Sequence, residues 1–109
     1  MRAWARAWAG KKVEEYLSFY SDAFDTGREL DRSGWEKLRR VRLERPRSIE
    51  VLLTGIEPQL TAGDRAQVSF VQNYRSDLYA DKVDKILTLR REEDGWKILA
   101  ERVVRTYRE

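Results

Sequence analysis

The sequence predicts an α+β fold in which three N-terminal helices cover one face of a four-stranded antiparallel sheet. Three observations carry this expectation. Near Ile49 the spacing of apolar residues changes from about 3.6 to about 2, so a helical half precedes a strand half. Turn signals at Thr61-Ala62-Gly63-Asp64 and Glu93-Asp94-Gly95 join the later segments as hairpins. A sheet built of hairpins must bury one face, and the preceding helices are the cover available.

Trp4 and Trp8 lie four apart with Arg2 and Arg6 turned away, which gives a short amphipathic helix ending near Gly10, where glycine can take a left-handed conformation. Met1 to Gly10 is basic and Ala-rich, but Arg6 interrupts the apolar run, so it reads as the tail of a first helix and not as a signal peptide. The second helix carries Val13, Tyr16, Leu17, Tyr20 and Phe24 at i, i+3, i+4, i+7 and i+11 and ends before Gly27. Ser33-Gly34-Trp35-Glu36 fits a capping box that opens a third helix, stopped at about Arg45 by Pro46. Strands are expected from about Ile49 to Leu60, Arg65 to Arg75, Lys82 to Arg91 and Trp96 to Thr106. Pro58 confines the first of them to an edge or a bulge.

A chain of 109 residues suits one domain, here taken as 1–109 and as part of a longer parent protein. Four Trp, five Tyr and three Phe argue against disorder, because aromatic burial offsets chain entropy efficiently. The 22 basic and 19 acidic residues form a mixed surface. Lys37, Arg39, Arg40, Arg42, Arg45 and Arg47 crowd one stretch, but Glu36 and Glu44 interleave them and no aromatic single-strand platform accompanies them, so no nucleic-acid partner is expected. There is no cysteine and no histidine, which removes disulfides, thiol chemistry and the commonest general base. No run of apolar residues is long enough to span a membrane.

The candidate site lies where the two halves meet. Trp35, Leu38, Arg39 and Arg42 project from one face of the third helix. On the second strand Gln72 and Tyr74 continue the row of Val68 and Phe70, and polar groups on a core-facing row need partners or line a cavity. Tyr16 and Tyr20 add two hydroxyls to the same side. Together Tyr16, Tyr20, Trp35, Arg39, Arg42, Gln72 and Tyr74 form a candidate pocket whose arginines would grip an anionic or carbonyl-bearing ligand. The alternative is that the arginines snorkel past the core edge and Tyr74 bonds the backbone. The clusters Asp77, Asp81, Asp84 and Asp22, Asp25, Asp31 lack the spacing of a calcium loop, and no metal or cofactor is expected. No catalytic residue is assigned.

The order of elements, Ala7-Trp8 followed by Tyr16-Leu17-Ser18-Phe19-Tyr20, and Gly63-Asp64-Arg65-Ala66 resemble the nuclear transport factor 2-like superfamily, which includes ketosteroid isomerase and polyketide-cyclase-like proteins. The resemblance covers nearly the whole chain. More narrowly, Trp35-Glu36 with Arg39 and Arg42, then Phe70-Val71-Gln72-Asn73-Tyr74-Arg75-Ser76-Asp77, and Gly95-Trp96-Lys97-Ile98 look like the C-terminal accessory domain of some bacterial L,D-transpeptidase-related and tetratricopeptide-containing envelope proteins. The resemblance implies a cystatin-like cone, its curled sheet enclosing a pocket under the helices, and a homodimer through the sheet.

The isomerase relatives use a tyrosine, an aspartate base and a protonated acid. Tyr16 or Tyr20 could stand for the tyrosine, but no aspartate falls on an inward-facing strand position, Asp84 coming nearest. The leading expectation is therefore a non-catalytic binding or accessory module. Its ligand would be a cell-wall fragment such as a muropeptide, a small anion or a protein partner, and its place the periplasm or cell envelope. Without the narrower resemblance a cytoplasmic location stands. A small enzyme of isomerase or cyclase type and a purely structural dimerisation domain are the alternatives.

Overall fold

The computed structural model describes residues 1–107. Helices α1 (Arg2–Ala9), α2 (Val13–Ser18) and α3 (Arg32–Glu44) precede strands β1 (Ile49–Ala62), β2 (Arg65–Ser76), β3 (Ala80–Glu92) and β4 (Gly95–Thr106). The strands pair antiparallel in chain order to give one sheet, as hairpin connections require.

Alternation along β2 turns Ala66, Val68, Phe70, Gln72 and Tyr74 to the helical side. Across the β2–β3 ladder they face Leu89, Leu87, Lys85, Val83 and Asp81. Trp4, Tyr16, Trp35 and Leu43 from the helices fill the space above, each at most 3% exposed. The Trp4 ring meets Phe70 edge-on at 6.1 Å between centroids, so α1 is locked to the middle of the sheet.

Register shifts between Thr54 and Glu57, and opposite Asp84/Lys85 and Thr88/Leu89, put bulges into both outer strands. Bulges bend and twist a strand, so the sheet curls around the helices as a cone. Gly55 occupies the first bulge at φ +61°, and Pro58 follows it on edge strand β1, where an absent N–H is tolerated.

Several local expectations are corrected. Helix α2 stops at Ser18, because the chain turns at Phe19 and runs extended; Tyr20 bridges Ile98 in parallel, with Ile98 N–H donating to Phe19 and Ser21 N–H to Ile98. Tyr20 and Phe24 are therefore buried from outside any helix. Gly10 is right-handed at φ −79°, and Lys11 takes the left-handed position at φ 57°, its ammonium held by the Glu44 and Pro46 carbonyls. Asp31, not Ser33, caps α3 by accepting from Gly34 N–H at 2.8 Å, and Glu36 pairs with Arg32 instead of closing a capping box. Leu38 is 39% exposed; the sheet-facing row of α3 is Trp35, Arg39 and Leu43, spaced by four. The β1–β2 loop shrinks to Gly63 and Asp64.

Gly95 closes the β3–β4 hairpin at φ +120°, a region that L side chains rarely occupy although space around the residue is open. Gly95→Ala is expected to lower stability in urea denaturation by about 1–3 kcal/mol through backbone strain alone.

Candidate functional site

The cone holds a compact ionic cluster at the meeting point of all its layers. Glu101 on β4 accepts from Lys85 of β3 at 2.7 Å and from the Tyr20 hydroxyl at 2.8 Å, and it pairs with Arg39 of α3 at 3.5 Å. Arg39 donates to Tyr16 Oη at 2.7 Å and lies 3.3 Å from Tyr20 Oη. The two phenols are 3.1 Å apart, and Trp4 Nε1 donates to Tyr20 at 3.2 Å. Aromatic faces surround the cations: the Arg39 guanidinium is 5.2 Å from the Trp35 ring, and the Lys85 ammonium 5.5 Å from Trp8.

Electrostatics follows from this packing. Burial pushes the Glu101 carboxyl up, but Arg39 and Lys85 outweigh it and hold the group below its usual range. Burial opposes the Arg39 charge, yet Glu101 and the two phenols keep it protonated. Burial raises Tyr16, with Arg39 pulling the other way, and raises Tyr20 well above its ordinary value with help from Glu101. Glu101 is thus a fixed anion and the phenols are fixed hydrogen-bonding groups at neutral pH.

Beside the cluster lies a cavity of about 280 Å³. Its floor and sides include Tyr16, Arg39, Gln72, Val83, Lys85 and Glu101. Trp8, Tyr74 and Tyr79 make an aromatic wall, with centroid distances of 5.3 Å and 5.0 Å along the series. Arg42, Asp81 and Val103 stand exposed at the mouth.

Of the residues singled out in the sequence, Tyr16, Arg39, Arg42, Gln72 and Tyr74 line this cavity. Tyr20 and Trp35 lie behind it, packed edge-on at 4.9 Å as support for the ionic cluster. Asp84 faces the other side of the sheet and accepts from the Tyr107 hydroxyl at 2.8 Å. Asp81, opposite Tyr74, corrects the expectation that no aspartate is inward-facing. Among the described residues no three potential ligands gather to hold a metal ion. Asp77 accepts instead from the Arg47 and Ser48 amides, and Asp25 from Gly27.

Sequence reasoning missed Glu101 and Lys85. Lys85 had a signal, since it interrupts the row Val83, Leu87, Leu89 on one strand face. Glu101 had none, because counting by two from inward-facing Ile98 reaches Ala100. The bulge beside Leu89 moves Glu101 inside.

Glu101→Leu, which strands Arg39 and Lys85 in the core, is expected to cost about 3–5 kcal/mol in denaturant unfolding. Replacing Arg39, Lys85 and Glu101 together by apolar residues should restore much of that loss. Because the folded-state pKa of Glu101 is depressed, its stabilisation is present above the unfolded pKa and is lost as pH falls through the folded one. Acid titration of stability should therefore show a drop below the ordinary glutamate range that the apolar triple variant lacks.

Residues 1–102 match the model of the Cds6 C-terminal NTF2-like domain. No curated protein matches the chain. Among solved structures it resembles Bd1075 of Bdellovibrio bacteriovorus, at 22% identity and TM-score 0.86 over 99% of this chain and 38% of that one. It also resembles the helical cell shape determining protein Pgp2 of Campylobacter jejuni, at 25% identity and TM-score 0.75 over 93% and 37%. A putative dehydratase of the NTF2-like family from Streptomyces avermitilis shares the fold at 19% identity and TM-score 0.76 over 92% and 86%. The chain thus spans less than two fifths of the length of the first two. With residues 1–102 matched and the cone fold in place, the chain belongs to the Cds6 C-terminal NTF2-like domain family.

Proposed function

We propose that this domain is a non-catalytic accessory module of a bacterial envelope protein and that its cavity holds an anionic ligand such as a cell-wall fragment. The carrying observation is the charge of the cavity: Arg39, Arg42 and Lys85 face it against Asp81 and Glu101, and Glu101 is already committed to Arg39 and Lys85. Arg42 stands at the mouth without an ion-pair partner among the described residues, placed to meet a carboxylate. The likeness to a cell shape determining protein about two and a half times as long supports the envelope setting and a role beside other domains.

General acid–base chemistry works best with a group whose pKa lies near the operating pH. Glu101 is shifted below that range, and Tyr16 and Tyr20 above it. This favours binding over an isomerase-type reaction.

A second reading concerns the opposite face of the sheet. Leu52 is 59% exposed there, and Val71 and Ile86 are half-buried on the same side. An apolar strip of this kind suits pairing of two copies through their sheets.

Arg42→Ala is expected to weaken binding of soluble muropeptides about tenfold, the cost of one charged contact, without changing thermal stability. Calorimetric titration checks it, and unchanged affinity together with no binding of other small carboxylates would sink the pocket reading. Ile86→Arg should convert any dimer seen by light scattering to monomer while leaving ligand affinity alone.

A further inference from the structure

The outer face of the sheet, the one turned away from the helices, carries opposite charges at its two margins. Strand β1 presents Glu50 and Glu57 there and holds no Lys or Arg, whereas β4 presents Arg102 and Arg105 at the far side. All four are exposed, and none has an ion-pair partner among the described residues. The strand registers set Glu57, Ser69, Ile86 and Arg102 in one row across the four strands. Neighbouring strands lie about 4.8 Å apart, so roughly 14 Å separates the ends of that row. Glu57 and Arg102 of one chain do not pair, and each is left with its charge facing outward.

Two such faces packed with their strands aligned have two twofold arrangements open to them. An axis running across the strands stacks β1 on β1 and β4 on β4, so acid meets acid and base meets base. An axis running along the strands lays β1 of one copy over β4 of the other. We infer that two copies of this chain pair about an axis along the strands, each Glu57 meeting the partner's Arg102. This deepens the reading of the sheet face as a pairing surface and rests on it. The row is then self-complementary, with Ser69 against the partner's Ile86 and the ion pair formed twice. Facing sheets lie about 10 Å apart, a gap that a glutamate and an arginine close from opposite sides. In the next row Thr54 falls against the partner's Arg105 and Val71 against the partner's Asp84, whose carboxylate the Tyr107 hydroxyl already engages, so no like charges are opposed.

Arg102→Glu removes two units of positive charge from a chain of net charge +3, so general repulsion between copies predicts tighter pairing of this variant. The inferred geometry predicts pairing about tenfold weaker, because two attractive contacts become repulsive. Glu57→Arg is expected to weaken pairing to a similar degree. An equimolar mixture of the two variants should regain wild-type affinity, since every facing pair then carries opposite charges, and this rescue excludes misfolding as the cause. Light scattering over a concentration series in low salt reads all four samples, with Ile86→Arg as the monomeric control. Unchanged or tighter pairing of Arg102→Glu overturns the inference, as does a mixture that pairs no better than its components. Sheet pairing itself stands in either case if Ile86→Arg still separates the copies. A wild-type chain that stays monomeric throughout the series overturns both.

Discussion

Two cations lie inside this cone because a carboxylate lies between them. Glu101 sits on β4, Lys85 on β3, Arg39 on α3, and the phenols that complete the cluster come from α2 and the segment after it. Each ion alone would lose several kcal/mol on leaving water. Together they form a unit that no single element can satisfy, so the helices have one position on the sheet in which all the charges are met. The hydrophobic core makes burial favourable; the cluster makes one arrangement of that core preferable to its neighbours. Arg39 suits this role because its planar guanidinium bonds Tyr16 while pairing with Glu101 and stacking over Trp35.

The aromatic residues set the medium in which those charges act. Trp4, Trp8, Tyr16, Tyr20, Phe24 and Trp35 form a connected series with centroid separations between 4.8 and 6.5 Å. Such a sheath shields the cluster on the sides away from the cavity, so the hydrogen bonds buried there act at reduced dielectric. The cavity next door inherits a floor whose rotamers are already locked, and a ligand entering it need not order the groups it meets.

Most of the architecture was legible before the structure, because it depends on periodicity. The change of spacing at Ile49 separates helices from strands, and the alternation Val68, Phe70, Gln72, Tyr74 assigns β2 its inner face. What escaped depends on long-range geometry. Helical spacing carries Tyr20 and Phe24 past the real end of α2, yet the main chain leaves the helix at Phe19 to bond Ile98. A bulge has no sequence period, so Glu101 stayed hidden although it anchors the cluster. Arg39 was visible as a polar residue on a buried face, but its partner was not, which is why the sequence suggested an arginine waiting for a ligand where the structure shows one engaged by the protein. Arg42, one helical turn onward, is the arginine left open.

The detour of the chain after α2 also bears on how the sheet ends. The main-chain bonds of Phe19, Ser21 and Asp25 to Ile98 and Leu99 cover the first half of β4, so a foreign strand finds its donors and acceptors there already taken. On the other side β1 is broken by the bulge at Gly55, and Pro58 offers no N–H. Neither margin presents a long, flat, unpaired ladder of the kind that templates cross-β growth. Lateral addition of strands is thus discouraged along β1 and the first half of β4, by a different device at each margin.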